Sequence, residues 1–389
     1  MPDSDSVFTY ADGMERIDSA VMDETLAAAA AIDFEAFAAA DVRAALAQSE
    51  RGGGSLAPRD FAALLSPAAL PLLEEIAARA RAETRRQFGN SVTLFTPLYI
   101  ANWCENQCVY CGFNCANKIK RAKLSPAEIE TEFRSIAATG LQDMLILTGE
   151  SRAKSPPEYI AEAVALAAKY FSTVGIEVYP MNTDEYARLR DRGADYVCVY
   201  QETYSPADYS RVHPAGRKRV FPYRFDAQER ALRAGIRGVS FGALLGLADY
   251  RRDAFSAGMH ARLLHRKFPQ SDISFSVPRL RPHIADSAAN SRDVHERQLF
   301  QVMCAYRLFM PFAGLTISTR ERAGFRDSAA SICATKISAG VRVGVGGHAE
   351  EEKGDGQFNV SDPRSVVEVV GALRANGLQP VYSDYIRVY

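Results

Sequence analysis

The sequence lacks an excess of basic charge, a long apolar run and an export signal. It carries 46 Lys and Arg against 47 Asp and Glu among its 389 residues, a formal net charge of −1. Nucleic-acid-binding chains normally present a basic stripe, so this balance argues against a polyanion partner. No stretch approaches the roughly 20 apolar residues of a membrane span, and Met1–Ser6 is acidic and polar. We therefore expect a cytoplasmic protein that binds neither nucleic acid nor membrane.

The number and distribution of the cysteines do not indicate a disulfide framework. Seven cysteines, an odd number, in a long chain without an export signal argue against paired thiols. Cys198 and Cys333 lie in apolar stretches and Cys304 in a helix-like one, which predicts small buried side chains for all three. The remaining four cysteines lie within twelve residues, 104–115, and this clustering sets them apart from the three isolated cysteines.

The chain changes its pattern near residue 91. Before it, helical spacing dominates, with a helix predicted to begin at Ser66-Pro67 and to end at Gly89. After it, apolar and β-branched runs alternate with helix signatures such as the capping box Ser125-Pro126 with Glu128. Eight runs predict strands, at 92–100, 143–150, 176–182, 195–204, 238–247, 272–280, 314–321 and 334–340.

Eight strands with intervening helices over about 250 residues predict a (β/α)8 barrel of the TIM type. A doubly wound open sheet is the alternative. Polar residues near the carboxyl ends of successive strands favour the barrel, because a barrel builds its active site there: Glu150, Asn182, Glu202, Arg279, Arg320 and Ser338. We expect a helical extension over 1–90, the barrel over 91–340 and a capping segment over 341–389. In the cap, Ser361, Asp362 and Pro363 predict a helix start, and an extended tail follows the helix.

The densest chemical signal is Cys104-x3-Cys108-x2-Cys111, directly after the first predicted strand. Thiolates are soft ligands that suit iron–sulfur clusters. Three protein ligands on a four-iron cluster leave one iron open. That iron can chelate the amino and carboxylate groups of S-adenosylmethionine (SAM) and support one-electron cleavage to a 5′-deoxyadenosyl radical.

A zinc ion is the alternative to the iron–sulfur cluster, with Cys115 as its fourth thiolate ligand. Structural zinc sites close four ligands, but they more often pair two short spacings that lie far apart in the chain. Here all four thiols crowd into twelve residues. A catalytic thiol would need a histidine nearby, and the nearest in sequence is His213. A zinc-stabilised scaffold without enzyme activity stays open as the contrasting hypothesis.

Several neighbours resemble features of radical SAM enzymes. Tyr110 matches the aromatic position that these enzymes place against adenine. Thr148-Gly149-Glu150 resembles their Gly-Gly-Glu motif, whose backbone and carboxylate bind the SAM amino group. Glu202 lies where related barrels hold the ribose or the methionine end. The resemblance thus implies SAM binding by Tyr110, Gly149, Glu150, Arg152 and Glu202.

Over nearly its whole length the chain resembles the 2-iminoacetate synthases, tyrosine lyases of thiamine thiazole biosynthesis. The specific stretches are VYQETY, SVPRLRP, STRE and GQFNVSDPRS. The resemblance implies L-tyrosine as substrate and scission of its Cα–Cβ bond to 2-iminoacetate and 4-methylphenol, with methionine and 5′-deoxyadenosine released. It also implies an electron donor of the flavodoxin or ferredoxin type. Because 2-iminoacetate hydrolyses readily, it further implies direct delivery to a thiazole synthase partner.

Three residues are candidates for holding the substrate. Arg320 in STRE would pair the tyrosine carboxylate, since a planar guanidinium suits bidentate recognition. Ser338 would help to fix the amino acid, and Tyr99 would orient the amino group. A structural salt bridge from Arg320 to Glu321 or Asp327 is the alternative.

Two relatives share the barrel and must be weighed. The tyrosine lyase of hydrogenase maturation carries a C-terminal domain with a second cysteine cluster, whereas the last cysteine here is Cys333. A tryptophan lyase of antibiotic biosynthesis fits SVPRLRP and the GQF segment less well. Both remain alternatives for the substrate or the pathway.

Overall fold

The computed structural model describes residues 7–51, 56–281 and 294–383. The predicted polar start, the glycines at 52–54 and the end of the predicted tail lie outside these ranges. Nine strands are described: β1 Ser91–Ala101, β2 Asp143–Thr148, β3 Thr173–Glu177, β4 Tyr196–Cys198, β5 Gly238–Phe241, β6 Asp272–Ser276, β7 Gly314–Ile317, β8 Lys336–Ser338 and β9 Gln379–Val381.

The first eight strands form a closed parallel barrel. Each strand pairs with the next, and β1 pairs with both β2 and β8, which closes the sheet. The barrel prediction is confirmed and the open-sheet alternative is wrong. β9, expected only as an extended tail, pairs in parallel with the start of β1. The chain end therefore joins the same sheet, while the division into three segments stays a prediction.

The described helices surround this barrel. Their bounds are α1 Val21–Ala30, α2 Ala39–Glu50, α3 Pro58–Leu65, α4 Leu73–Phe88, α5 Pro126–Ala137, α6 Pro157–Ala167, α7 Thr183–Asp191, α8 Pro206–Val212, α9 Phe221–Phe225, α10 Ala227–Arg233, α11 Tyr250–Lys267, α12 Glu296–Phe309, α13 Ala323–Ile332 and α14 Val366–Ala375. Short 3₁₀ turns occur at Phe34–Ala36, Pro67–Leu72 and Arg217–Arg219.

Helix starts were predicted with mixed success. The capping box of Ser125 and Glu128 opens α5 as expected. Ser66 does not cap a helix, because its hydroxyl donates back to the Ala63 carbonyl and a 3₁₀ turn precedes α4. Ser365, not the 361–363 segment, caps α14. Asp362 is unavailable as a cap, since its carboxylate accepts hydrogen bonds from Arg326 and Arg364.

The N-terminal helices pack on the outside of the barrel. The ring of Phe61 in α3 stacks on Phe309 of α12, with ring centres 4.1 Å apart, and on Phe255 of α11 at 5.6 Å. Gly258 allows this approach, because a Cβ there would lie 2.5 Å from the Phe61 ring. In the described part of the chain no single helix is long and apolar enough to cross a membrane. Two consecutive helical segments, Pro58–Leu65 and Pro67–Phe88, are long and apolar enough only when taken together, and they are bent by 76° relative to each other.

Candidate active site

The four clustered cysteines lie in the loop that follows β1. Cys108 is buried, Cys104 and Cys111 are half-buried, and Cys115 is exposed. The loop is anchored by the Asn102 side chain, whose amide donates to the carbonyls of Lys120 and Asp355 at 2.9 and 3.0 Å. The three inner thiols therefore sit on a braced loop, and Cys115 lies apart from them in exposure.

The inner thiols fit a multi-iron cluster. Cys104, Cys108 and Cys111 line one pocket of about 70 Å³. Across the described ranges no three His, Cys, Asp or Glu side chains converge on a single metal ion. Burial raises the pKa of Cys104 to about 12, and it also raises the pKa of Cys108 well above its ordinary value. A bound cationic group would favour their thiolate forms. These residues suit a group spanning three thiols, not a closed zinc site with Cys115.

The end of β2 is joined to the cysteine loop. Gly149 packs so closely on the backbone of Trp103 that a Cβ would lie 2.3 Å from its carbonyl oxygen. The Glu105 N–H donates to the Glu150 carbonyl at 3.1 Å, and the Asn106 amide donates to the Glu150 carboxylate at 2.9 Å. Glycine is thus required at 149, and the predicted SAM-binding motif and the thiols form one unit.

Two predicted carboxylates belong to a buried group of four charges. Lys218 Nζ lies 2.7 Å from Glu202 Oε1 and 3.5 Å from Glu150 Oε1. Arg224 spans the same carboxylates, at 2.9 Å from Glu150 and 3.4 Å from Glu202. Burial alone would raise the pKa of Glu150, but the two cations outweigh it and lower that pKa. The Glu150 carboxylate is thereby held ionised beside the cysteine pocket, and Glu202 is paired with the same two cations.

Glu202 occupies a strained position in this group. Its φ of 72° is the only positive φ of a non-glycine residue in the described ranges. Such a backbone conformation costs of order 1 kcal/mol or more and persists where the surroundings impose it, often at functional sites.

The sequence analysis did not predict Lys218 and Arg224 as site residues. The run of basic residues at 217–219 was the sequence signal, but nothing local shows that it folds back onto the strand ends.

Tyr110 is fixed by a histidine. Its hydroxyl lies 2.7 Å from Nε2 of His213, whose Nδ1 lies 2.9 Å from the Tyr209 carbonyl. Burial lowers the pKa of His213 well below its ordinary value, so the ring is neutral. A neutral ring that donates from Nδ1 must accept at Nε2, and the Tyr110 hydroxyl is then the donor. His213 therefore positions the predicted adenine-contacting ring and activates no thiol.

A second, larger cavity of about 830 Å³ adjoins the cysteine pocket inside the barrel. Tyr99, Cys111, Glu177, Glu202 and Lys218 line both spaces. A group held by the cysteines would therefore lie next to a molecule held in the barrel. Tyr110, Arg320 and Ser338 also line the larger cavity.

Arg320 faces this cavity without a carboxylate partner. The alternative salt bridges are wrong, because Glu321 pairs with Arg279 at 2.6 Å and Asp327 pairs with Arg364 at 2.9 Å. In the described residues no ion pair involves Arg320. Its guanidinium instead lies 3.6 Å from the centre of the Phe358 ring. An unpaired guanidinium in a cavity is suited to a carboxylate ligand.

Tyr99 and Ser338 are both buried where β1 and β8 meet the cavity. The Tyr99 hydroxyl donates to Gln357 Oε1 at 2.9 Å, and Gln357 Nε2 lies 3.4 Å from Cys111 Sγ. Gln357 thus connects a predicted substrate residue to a predicted cluster ligand. The Ser338 carbonyl accepts a hydrogen bond from Arg326 in the core, which holds the end of β8 in place.

Glu177, at the end of β3, was missed by the sequence analysis. It has no described hydrogen bond or ion pair, although Tyr99, Glu202 and Arg320 surround it. Burial raises its pKa from 4.5 to about 7, partly opposed by Arg320. A carboxyl with that pKa exchanges protons near neutral pH. Its position as the last residue of the five-residue strand TVGIE was the available signal.

Arg152 lies apart from both spaces. It pairs with Glu185 and lies 5.1 Å from the centre of the Tyr179 ring. Its SAM-binding role stays a prediction that these contacts do not favour.

Two of the six polar residues predicted at strand ends have structural contacts. Asn182 accepts from the Glu15 N–H at 3.0 Å, and Arg279 holds Glu321.

Comparisons with known proteins agree with this geometry. Residues 98–253 match the model of the radical SAM superfamily, and residues 276–379 match the Biotin and Thiamin Synthesis associated domain. The chain is 41% identical to the 2-iminoacetate synthase of Escherichia coli K12 and 39% identical to that of Salmonella typhimurium LT2, in each case over 89% of this chain and 91% of the relative. The crystal structure of HydG, a maturase of the [FeFe]-hydrogenase, is 30% identical with a TM-score of 0.85, covering 95% of this chain and 81% of that one.

Proposed function

This chain belongs to the 2-iminoacetate synthase family of the radical SAM superfamily, and on that premise we propose that it cleaves the Cα–Cβ bond of L-tyrosine to 2-iminoacetate and 4-methylphenol. As a radical SAM lyase it uses a [4Fe–4S] cluster and SAM. When bound, this pair supplies a 5′-deoxyadenosyl radical that removes a hydrogen atom from the substrate amine. The observation that carries the substrate proposal is the unpaired Arg320 in a cavity that shares a wall with the cysteine pocket.

The cofactor side of this proposal uses the residues beside the loop. Cys104, Cys108 and Cys111 would hold the cluster through their thiolates. The Glu150 carboxylate, kept ionised by Lys218 and Arg224, suits the SAM amino group. Glu202 suits the ribose hydroxyls or the methionine end, and Tyr110 offers its ring to adenine.

The substrate side uses the barrel interior. Arg320 would bind the tyrosine carboxylate in a bidentate way, with the Phe358 ring holding the guanidinium plane in position. Ser338, buried at the end of the neighbouring strand, would hold the same end of the amino acid. The bound tyrosine would then lie between these residues and Tyr99, next to the cysteine pocket.

The amine must be neutral before a hydrogen atom can leave it. We assign the proton transfer to Glu177, which would take one proton from the substrate ammonium and become a neutral carboxylic acid. Its neighbours support this assignment, because a carboxyl without a described partner is free to meet the ammonium. Tyr99, held by Gln357, would orient the resulting amine.

The proposal extends to partners and location. A flavodoxin- or ferredoxin-type protein would supply the electron, and a thiazole synthase would receive 2-iminoacetate for thiamine biosynthesis. Seven unpaired cysteines support a reducing compartment, and we place the enzyme in the cytoplasm.

Anaerobic turnover tests the proposed reaction. The reconstituted enzyme is mixed with SAM, a reductant and, separately, L-tyrosine, L-tryptophan or L-phenylalanine. We expect 4-methylphenol and glyoxylate, the hydrolysis product of 2-iminoacetate, from tyrosine alone. Indolic products from tryptophan would move the chain to the tryptophan lyases, and a colourless protein with one zinc would support the scaffold hypothesis.

A further inference from the structure

The backbone at Glu202, whose φ is positive, is hydrogen-bonded to the chain just beyond β5. The Gln201 N–H donates to the Gly242 carbonyl at 3.2 Å. The Glu202 carbonyl accepts from the Leu244 N–H at 2.8 Å. These bonds fix the chain as far as Glu202, so the direction in which it continues depends on what holds the next two residues.

Both residues after Glu202 are bound by one buried carboxyl on α11. Asp253 Oδ1 accepts hydrogen bonds from the Thr203 hydroxyl at 3.0 Å and from the Tyr204 N–H at 2.7 Å. The Tyr204 hydroxyl lies 3.1 Å from Nδ1 of His260, which is about two turns beyond Asp253 on the same helix. One face of α11 therefore holds the chain directly after Glu202.

Asp253 is required neither to begin its helix nor to neutralise a cation. Asp249 caps α11, because its carboxylate accepts from the N–H groups of Arg251 and Arg252. Asp253 has no ion pair in the described part of the chain, and its Oδ2 has no hydrogen-bond partner there. Burial raises the pKa of Asp253 to about 7. Burying a carboxyl in this way is unfavourable, so the position contributes through its two bonds to the segment after Glu202.

We propose that Asp253 is a positioning residue for SAM binding, which holds the two residues after Glu202 so that Glu202 keeps its left-handed backbone. In this conformation the Glu202 carboxylate lies 2.7 Å from Lys218 Nζ and lines the cysteine pocket. A left-handed backbone is unfavourable for a residue with a side chain and persists only where the surroundings impose it. This inference rests on the proposed function, since Glu202 is its proposed SAM contact.

Removing the Asp253 carboxyl tests this role. In a crystal structure of reconstituted Asp253→Ala, Glu202 should have a negative φ. The dissociation constant for SAM should rise about tenfold, as is typical for a residue that orients a ligand-binding side chain, while the KM for tyrosine at saturating SAM changes less than about threefold. Asp253→Asn keeps the accepting oxygen and should retain the positive φ and the SAM affinity of the unmodified enzyme.

The matched control is a buried carboxyl at the opposite end of the barrel. Asp195, directly before β4, also accepts a backbone N–H, from Val174 at 2.8 Å. Asp195→Ala should lower the unfolding temperature as Asp253→Ala does, because both leave a buried N–H without its acceptor. It should leave the dissociation constant for SAM unchanged. Equal losses of SAM affinity in the two variants would assign the effect to general destabilisation and overturn the proposal.

A double variant shows whether Asp253 acts through Glu202. In Glu202→Ala protein, adding Asp253→Ala should weaken SAM binding no further, because both changes remove the same contact. A further loss of about tenfold, as large as in the unmodified background, would mean that Asp253 acts elsewhere and would refute the positioning role.

The φ of residue 202 decides the proposal independently of SAM. A positive φ in Asp253→Ala would overturn it. If that variant does not fold, Thr203→Val removes one of the two donors, and Thr203→Ser is its control because it keeps the hydroxyl. The same differences in φ and SAM affinity are then expected between the Val and Ser proteins. Unchanged SAM affinity in Glu202→Ala would instead refute the proposed SAM contact of Glu202.

Discussion

The guanidinium of Arg320 stacks on the ring of Phe358, 3.6 Å from its centre, and has no carboxylate partner in the described residues. Both acidic neighbours in sequence are occupied by other arginines. The stack joins the loop that follows β7 to the segment around Phe358, at the wall of the large cavity. It leaves the guanidinium edge available to a ligand.

Replacing this arginine is expected to weaken tyrosine use selectively. Truncating one partner of a buried charge pair costs about 2–5 kcal/mol, so Arg320→Ala should raise the KM for tyrosine roughly 30-fold or more. SAM binding should be unchanged. Arg322→Ala, whose partner Glu296 lies on the surface, is the control. A KM within threefold of the unmodified enzyme would remove Arg320 from the site.

The cysteines provide a spectroscopic test. Cys108→Ala should abolish the brown colour and broad visible absorbance after anaerobic reconstitution with iron and sulfide, because a buried ligand is lost. Cys115→Ala should keep both, since that thiol is exposed. Loss of the chromophore in both variants would mean that Cys115 is a ligand and that the cluster has no open iron.

The pH dependence of turnover tests Glu177. Burial raises its pKa to about 7, so the carboxylate that accepts the ammonium proton is present only above that pH. The charges facing it are Arg320, Glu202, Lys218 and Arg224. We expect kcat/KM to rise through pH 7 and then level off. In Glu177→Gln, loss of a general base should lower the rate about 100-fold at pH 7.5.

The shape of the profile separates catalysis from structure at this position. The Gln variant should regain activity as pH rises further, because the substrate amine then loses its proton to solvent. Glu177→Asp should retain the plateau at a reduced rate. A uniform loss in the Gln variant at every pH would indicate a structural role.

The buried charge group predicts a stability effect. Arg224→Met leaves Glu150 and Glu202 with Lys218 alone, and breaking a buried pair costs about 3–5 kcal/mol. Lys218 and Arg224 hold the pKa of Glu150 below its ordinary 4.5 against the effect of burial. The pairing therefore stabilises the fold above pH 4.5 and is lost as pH falls through the lowered pKa. Thermal unfolding should show a large deficit at pH 7 that shrinks toward pH 4.

The matched control is Arg188→Met, whose partners Glu158 and Asp184 are exposed. Exposed pairs contribute about 0–1 kcal/mol, so this variant should unfold near the temperature of the unmodified protein. A similar deficit in both variants would show that the buried group is not special.

The amino-acid sequence by itself determined the alternation of strands and helices and the spacing of the cysteine loop. Eight strand patterns alternating with helix signatures specify a parallel α/β fold and favour the barrel, and Cys104-x3-Cys108-x2-Cys111 specifies three thiols on one short loop. Both are local facts: side-chain periodicity and ligand spacing act over a few residues. The placement of Glu150 and Glu202 on one side of the barrel also followed from the sequence pattern, because parallel strands bring their carboxyl ends together.

Only the tertiary structure decided which charges face each other. Glu150, Lys218 and Arg224 meet although they lie far apart in sequence, and Glu177 faces Arg320 with no hydrogen bond or ion pair among the described residues. Asn182 was predicted at a strand end, but it lies beyond β3, directly before α7, and packing against the N-terminal segment gives it a structural role. Burial and distance set these pKa values and partners, and both depend on contacts between elements that no short stretch of sequence encodes.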